Sequence, residues 1–257
     1  MKILDCASVD STYASIEDIT GIKAEEIYNY LFNLDLDGYY KSHPRCYKRG
    51  DELLINLFKN KYKSSLKFDA TCWFHLTRTS NSNKFENGIL PLGEYINEIW
   101  DALYCLLPEE YSKTEWQDFR ANLEKDMDDH YAFLYRLKIN DQIHWGPFAM
   151  LVRDIAFKAS EVRNHDYLDV PEIVEDICRC FEKFYDYNLL ERYKSETKPC
   201  IVKFVTTKHR QYYLGSALCY LFYVAHNEKF SLSCNTCFDA NSNGIKPNKI
   251  QNIEYIC

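Results

Sequence analysis

Glycine and proline are scarce in this chain of 257 residues. It contains 8 Gly and 7 Pro, too few for a collagen-like repeat, a low-complexity tract or a long flexible linker. Long apolar runs are also missing. The longest, residues 212–225, is 14 residues long, whereas a helix that spans a bilayer needs about 20, and the first residues lack the apolar core of a signal peptide. We therefore expect a cytoplasmic protein that has no membrane partner.

Several common catalytic motifs are absent as well. The sequence has neither the G-x-G-x-x-G loop nor the P-loop that cradle phosphates in many nucleotide-binding proteins. It also lacks the H-E-x-x-H motif of zinc peptidases and the G-x-S-x-G motif of serine hydrolases. These absences disfavour the usual kinase and hydrolase machinery.

The composition is that of a folded protein. Hydrophobic residues make up 46% of the chain and charged residues 27%, with 31 Lys+Arg against 38 Asp+Glu and a formal net charge of −7. A chain with this share of apolar residues buries enough surface to offset the entropy cost of ordering, which excludes a mostly disordered protein. The length suits one large domain or two small ones.

The 11 cysteines are odd in number and scattered, which argues against a disulfide framework and favours reduced thiols. Two clusters stand out, Cys178-Arg-Cys180 and Cys234-Asn-Thr-Cys237. Together they offer four thiolate ligands, the set that a structural zinc ion takes. However, positions i and i+2 of a helix face different directions, so buried thiols are the favoured interpretation of the first cluster. We expect no metal, and zinc remains the alternative.

Residues 1–66 are predicted to form a small helical module. A capping pattern at Ser15 to Asp18, a break at Thr20-Gly21, and a helix over 23–34 lead to a turn at Asp37-Gly38 and a further helix over 51–58. This order is similar to that of a winged-helix unit.

The segment 38–67 is basic within an acidic protein. It carries eight Lys or Arg and two acidic residues, Asp51 and Glu52, so 8 − 2 gives +6. Such a patch is typical of a surface that faces phosphate groups. The acidic start of the second helix, Glu25-Glu26, would repel phosphates from a groove, so a module that docks a protein partner is the other interpretation.

From residue 67 onward, strands and helices are interspersed without a regular βαβ repeat, which predicts an α+β domain over 67–257. We expect a mixed sheet covered by several helices. The predicted elements are a strand over 67–74, helices over 93–107 and within 111–137, a helix from Pro171, a strand over 199–205, a nearly all-apolar helix over 211–225, and an irregular strand pair over 230–238 and 245–256.

One short motif stands apart. His75-Leu76-Thr77-Arg78 follows the first of these strands and is predicted to lie at its end, and Gly88-Ile89-Leu90 comes ten residues after Arg78. This resembles the first motif of the ADP-ribosyltransferase superfamily. Gly146-Pro147-Phe148-Ala149 is similar to the second strand of such folds, and residues 200–205 and 245–250 resemble the late part of the DNA-modifying toxin branch. The resemblance covers residues 67–257 in outline, and only the His-x-Thr motif is specific.

The resemblance implies NAD as a substrate and a role for each matching residue. His75 and Thr77 would hold the ribose. Arg78 would pair with the pyrophosphate through its fork of donors, and Phe148 would stack on nicotinamide. Arg153, shortly after Phe148, completes the predicted NAD-binding set.

The catalytic carboxylate is the point of departure from the family. The superfamily usually carries a Glu on a late strand, but the corresponding segment 230–234 has no acidic residue. We take Glu172 and Glu175 as candidates that act with His75, although acids in the first turn of a helix are also favoured by the helix dipole alone. Glu228 and Glu254 are less secure matches.

Two functions follow from these observations. The first is an ADP-ribosyltransferase-like toxin or defence effector that transfers ADP-ribose from NAD to a macromolecule, either nucleic acid or protein. The alternative is a non-enzymatic regulator that binds nucleic acid or protein through the N-terminal module and has a degenerate nucleotide-binding domain.

Overall fold

The computed structural model describes residues 1–80, 83–125, 127–207 and 210–256. It confirms the α+β class. The strands are β1 (Ile3–Leu4), β2 (Ala70–Thr79), β3 (Phe148–Met150), β4 (Lys198–Thr206), β5 (Cys237–Asp239) and β6 (Ile250–Tyr255). The helices are α1 (Val9–Thr20), α2 (Ala24–Phe32), α3 (Leu36–Ser42), α4 (Gly50–Tyr62), α5 (Leu92–Tyr104), α6 (Lys113–Lys125), α7 (His130–Asn140), α8 (Glu172–Tyr185), α9 (Leu189–Glu196) and α10 (Gln211–Ala225).

The strands form one mixed sheet in the order β5-β3-β2-β4-β6, and β1 pairs with β2. β1 runs parallel to β2, with Ile3 opposite Ala70, while β3 runs antiparallel to it, with Phe74 opposite Met150. β2 and β4 are the long strands, and both are rich in the aromatic and β-branched residues that suit a pleated surface.

The chain divides into two compact units. The first contains Met1–Phe74, Ala149–His165 and Lys203–Phe238, and the second contains His75–Phe148, Asp166–Val202 and Asp239–Cys257. β2, β3, β4 and β5 each contribute residues to both units. The domain boundary between residues 66 and 67 and the winged-helix architecture stay predictions, because the compact units are divided at other positions.

Helix α10 forms the core of the first unit. All of its residues from Tyr213 to Phe222 are buried, as expected for a helix that is apolar on every side. A Cβ built on Gly215 would lie 2.6 Å from the Asp51 carbonyl oxygen of α4. The prediction that small residues here let a neighbouring element approach closely is therefore confirmed.

Two local predictions in the first unit are wrong. α1 begins at Val9 because the Ser8 hydroxyl accepts from Ser11 N–H, and Ser15 instead lies inside the helix, where its hydroxyl accepts from Asp5 N–H at 3.0 Å. Residues 37 and 38 belong to α3 rather than to a turn, since the Asp35 carboxylate caps that helix and accepts from Gly38 N–H at 2.8 Å. In both cases the helix begins just after a capping residue, whose side chain accepts from the N–H three residues further on.

An aromatic cluster forms the core of the second unit. Trp100, Trp116, Phe119 and Phe181 are buried and pack with ring centroids 4.8 to 5.9 Å apart. Trp100 Nε1–H donates to the Tyr135 hydroxyl at 2.9 Å, so this buried polar atom has a partner. These residues are carried by the helices α5 to α8, which pack around this core.

The predicted strand pair at the end of the chain is wrong. β5 lies beside β3 and β6 lies beside β4, so β5 and β6 are separated by three strands. Ile256 N–H, just after β6, donates to the carbonyl oxygen of Pro199 in β4 at 2.9 Å. The turn at 241–244 leads instead to Ile245, which pairs with Ile89.

Candidate functional site

Strand β2 positions the His-x-Thr motif. His75 is the sixth of ten strand residues, so the predicted strand end is wrong: the strand continues to Thr79. Successive strand residues point to opposite faces. His75, Thr77 and Thr79 therefore share one face and are partly exposed, whereas Leu76 is buried on the other.

The imidazole of His75 is held by the neighbouring strand. Its Nδ1 lies 2.8 Å from the Phe148 carbonyl oxygen. A carbonyl oxygen only accepts, so Nδ1 carries the proton and the neutral ring keeps a lone pair on Nε2. Burial lowers the pKa of His75 from its ordinary value, opposed by the bond to Phe148. At neutral pH the ring is therefore an uncharged acceptor at Nε2.

Phe148 carries an aromatic ring on the other face of the sheet, since the register that places Phe74 opposite Met150 also places Leu76 opposite Phe148. It begins β3, its side chain is 41% exposed, and its backbone binds His75. Gly146 precedes it with φ +56°, and a Cβ there would lie 2.6 Å from Phe148 N, so the approach to β3 requires glycine. An exposed ring on a fixed strand is suited to stacking on a flat ligand.

A carboxylate that the sequence analysis missed lies on the next strand. Ala240 N–H donates to Pro147 O at 3.2 Å and Leu151 N–H donates to Thr236 O at 3.1 Å. This antiparallel register puts Asp239 opposite Phe148, so both side chains lie on the face of the sheet opposite to that of His75. Adjacent strands are about 4.8 Å apart, so Asp239 is two strands from the His75 strand. In the sequence Asp239 is a single acidic residue in a short strand. It can be recognised as a candidate site residue only when the order of the strands in the sheet is known.

Asp239 also shapes the loop that follows. One of its carboxylate oxygens accepts from Asn241 N–H at 2.7 Å, a bond typical of an Asx turn. The side chain is partly exposed. Its second oxygen is therefore the one that can act on a ligand.

Three loops of the second unit meet beside these strands. Ile89 and Ile245 exchange two backbone hydrogen bonds, at 2.9 and 2.8 Å. Gly88 has φ +80°, and a Cβ there would lie 1.9 Å from Ile245 O. Leu92 N–H donates to Trp145 O at 2.9 Å, which ties the loop of residues 85–91 to the loop before β3. The Gly-Ile-Leu segment of the motif therefore fixes loop geometry.

Arg78 has a structural role. Its guanidinium donates to Leu168 O at 2.9 Å, to Lys194 O at 2.8 Å and twice to Thr197, at the carbonyl oxygen and the hydroxyl. Four of its five N–H groups are used, and by strand alternation Arg78 lies on the face opposite His75. These contacts do not support the predicted pairing with pyrophosphate.

Arg153 belongs to the first unit, whereas His75 belongs to the second. Its Nη1 lies 3.6 Å from an Asp154 carboxylate oxygen, and its guanidinium lies 5.1 Å from the Phe157 ring centroid. A contact with NAD stays a prediction for this residue.

Glu172 and Glu175 lie in the first turn of α8, where the helix dipole favours acidic residues. Glu175 is 3.8 Å from Arg179 Nε. Burial raises the pKa of the adjacent Asp176 to about 6, and Glu172 and Glu175 add to this effect, while the Lys138 ammonium at 2.7 Å opposes it. Within the described residues neither glutamate hydrogen-bonds His75, so their catalytic role stays a prediction.

The four cysteines of the zinc hypothesis are divided between the units. Cys178 and Cys180 belong to the second unit, and Cys234 and Cys237 to the first. Burial raises the pKa of the Cys178 and Cys180 thiols, which favours the protonated form. In the described part of the chain, no three His, Cys, Asp or Glu side chains are grouped so that they could hold a metal ion.

The cations of the basic segment are at the surface. Every Lys and Arg within 38–67 is exposed, namely Lys41, Arg45, Lys48, Arg49, Lys59, Lys61, Lys63 and Lys67. The ring of Tyr47, between the first four of these, is 90% exposed. Between residues 41 and 50 there is no acidic side chain, so this loop presents cations and an aromatic ring together, and we call it the basic loop.

None of the helices in the described ranges combines the length and the apolar character that crossing a bilayer requires. Comparisons with protein-family models, with curated proteins and with solved structures found no match for this chain. The function is therefore inferred from the geometry of the strands β2, β3 and β5.

Proposed function

We propose that this protein binds NAD beside β2, β3 and β5 of the second unit and transfers ADP-ribose to a macromolecular acceptor. The observation that carries the proposal is the hydrogen bond between His75 Nδ1 and the Phe148 carbonyl oxygen. It makes Nε2 an acceptor and joins His75 to the backbone of Phe148, whose exposed ring lies on the other face of the sheet. These are the two groups that the family resemblance assigns to ribose and nicotinamide.

Each residue of the site is assigned one role. His75 Nε2 accepts from a ribose hydroxyl, Thr77 on the same strand face adds a second polar contact, and the Phe148 ring stacks on nicotinamide. In the reaction, the bond between nicotinamide and the ribose C1′ breaks and its electron pair leaves with nicotinamide. The acceptor forms the new bond to C1′ and releases its proton to solvent.

Positive charge develops on the ribose in this transition state, so a nearby carboxylate stabilises it. We take Asp239 as a candidate for this role, because it pairs across β5 and β3 with Phe148, the ring assigned to nicotinamide. Glu172 and Glu175 remain the candidates from the sequence.

The test is NAD binding by calorimetry and release of nicotinamide from NAD by the purified full chain. The His75→Asn variant keeps a donor near the position of Nδ1 but lacks the Nε2 acceptor, and we expect at least a hundredfold slower release. Asp239→Asn should have a similar effect on kcat with a smaller effect on NAD affinity. His130→Asn, at an exposed position on α7, is the matched control.

Two results would contradict the proposal. If the wild-type chain neither binds nor consumes NAD, there is no such activity. If His75→Asn retains full activity, the hydrogen bond between His75 and the Phe148 carbonyl oxygen has no role in the reaction. Loss of activity in Glu172→Gln or Glu175→Gln, with Asp239→Asn active, would return the catalytic carboxylate to α8.

A second candidate function, nucleic-acid binding through the basic loop, is favoured by the full exposure of its cations and of Tyr47. Cations neutralise phosphates and release counterions, so binding weakens with salt in proportion to the number of contacts. The Arg45→Gln/Lys48→Gln double variant should flatten the slope of log K against log salt by about 2. Lys198→Gln, exposed on β4, is the control, and duplex binding that is independent of salt would exclude this function.

A further inference from the structure

The first unit contains a cavity of about 470 Å³, a volume typical of small-molecule sites. Its wall is built from the end of α2 and the start of α3, from the last turns of α10, and from the segment before β5. Its lining residues all belong to the first unit, and none of them is a residue assigned to NAD.

Aromatic rings form much of the wall. They are contributed by Phe32, Tyr40, Phe222, Tyr223 and His226. The His226 ring lies 4.2 Å from Phe222 and 5.9 Å from Phe32, centroid to centroid, and His226 Nε2 is 3.1 Å from the Leu31 carbonyl oxygen. The rings are therefore packed and held in place, with the Phe32 side chain 51% exposed.

The charge of the lining has one sign. Asp35, Asp37 and Glu228 contribute three carboxylates, and among the described residues that line the cavity none is Lys or Arg. Asp35 is occupied as the cap of α3. Asp37 and Glu228 are exposed, and their carboxylates have no hydrogen bond or ion pair with any described residue. Two carboxylates are thus free to face a ligand.

A nearly buried serine that lines the cavity provides an independent observation. Ser233 lines the cavity and is only 9% exposed. Its backbone N–H donates to Ser231 Oγ at 3.3 Å, but its own Oγ has no hydrogen-bond partner among the described residues. A ligand in the cavity would supply the missing partner.

We propose that this cavity binds a small organic cation, an ammonium or guanidinium group carried on an apolar or aromatic body. The carboxylates of Asp37 and Glu228 pair with the cationic head, the rings attract it through their negative faces, and Ser233 Oγ accepts from one of its N–H groups. None of the lining residues belongs to the set assigned to NAD, so this site is distinct from that one.

The experiment is calorimetric titration of the full chain with tryptamine, whose indole carries an ammonium group, and with agmatine, whose guanidinium sits on an alkyl chain. N-acetyltryptamine is the neutral match for tryptamine. We expect at least one cation to bind and N-acetyltryptamine to bind at least tenfold more weakly than tryptamine. Asp37→Asn/Glu228→Gln should weaken the cation at least tenfold and Ser233→Ala about threefold, whereas Glu25→Gln, exposed on α2 outside the cavity, leaves the affinity unchanged.

Three outcomes would overturn the proposal. They are no binding of either cation, equal binding of N-acetyltryptamine and tryptamine, and unchanged affinity in Asp37→Asn/Glu228→Gln. An arginine side chain of a protein would bring the same head group, so a capped pentapeptide with a central arginine is a further arm. Tighter binding of this peptide than of agmatine would identify a protein partner and contradict the small-molecule assignment.

Discussion

Each of the two compact units has both buried and exposed aromatic side chains, and the two kinds can do different things. In the second unit, Trp100, Trp116 and Phe119 are at most 5% exposed and pack against one another. In the first, Phe32 and Tyr47 are 51% and 90% exposed, and rings line a cavity. The aromatic content of the sequence therefore does not indicate a function by itself. The burial of each ring shows whether it stabilises a core or is accessible to a ligand.

The same contrast holds for the cations. Arg78 of the second unit is enclosed by the oxygens of Leu168, Lys194 and Thr197. Arg45 and Lys48 of the first unit are exposed and donate no side-chain hydrogen bond to the described residues. A basic residue in a motif is thus a ligand contact only when its donors are free, which removes Arg78 and retains the basic loop.

The largest difference between the units is expected at two glycines that both have positive φ. Gly88→Ala in the second unit brings a Cβ to 1.9 Å from Ile245 O, whereas Gly21→Ala in the first meets nothing within 4 Å. We expect a loss of about 4 kcal/mol in the free energy of unfolding for Gly88→Ala, from strain and overpacking, and about 1 kcal/mol for Gly21→Ala from strain alone. Urea denaturation measures both. Equal losses would mean that the loop around Gly88 relaxes freely.

A smaller loss, about 3 kcal/mol, is expected for Arg78→Met, because three carbonyl oxygens lose a charged donor. Urea denaturation again provides the measurement. The Kd for NAD should change less than threefold for the folded variant. An intact stability with a tenfold weaker Kd would restore the pyrophosphate contact that the sequence predicted.

Local periodicity was sufficient to predict much of the fold. The helix over residues 211–225 and the strand over 199–205 are found within a residue of the predicted bounds, because an all-apolar helix and a β-branched run each have a strong pattern. The starts of α1 and α3 were predicted wrongly. Ser8 and Asp35 cap these helices, but the nearby patterns at residues 15–18 and 37–38 also resemble a cap and a turn.

The candidate site was predictable only in part. His75, Thr77 and Phe148 are found through a local motif, and β2 and β3 are indeed neighbours. Asp239 and the partner of Gly88 depend on which strands and loops pair across more than 90 residues of sequence, and no local pattern encodes such pairing. The structural role of Arg78 was hidden for the same reason, as its acceptors lie 90 to 119 residues away.

Ion pairs of the two units should respond to pH in opposite directions. In the second unit the pKa of Asp176, raised mainly by burial, is about 6. The folded state then holds this proton more tightly than the unfolded state, so the contribution is present below the unfolded pKa of 3.8 and is lost as pH rises through 6. Since a tenfold change in proton affinity is worth about 1.4 kcal/mol, the loss is about 2 to 3 kcal/mol.

In the first unit, Glu17 has a lowered pKa because Lys23 and Ala24 N–H donate to its carboxylate. Its contribution is present at neutral pH and lost as pH falls. Urea denaturation at pH 4 to 7 of Asp176→Asn and Glu17→Gln tests the contrast: the first variant should remove a decline in stability toward pH 7, the second a decline toward pH 4. A profile that Asp176→Asn leaves unchanged would contradict the raised pKa.

The smallest effect on stability is expected for the Arg45→Gln/Lys48→Gln variant of the basic loop. Exposed side chains without partners contribute within about 0.5 kcal/mol, so the free energy of unfolding in urea should match that of the wild type while Arg78→Met loses several times more. The result decides how the duplex-binding test is interpreted, because a stable double variant that loses salt-dependent binding has lost phosphate contacts and not its fold. A loss above 2 kcal/mol would mean that the cations of the first unit are structural too, and the contrast with Arg78 would disappear.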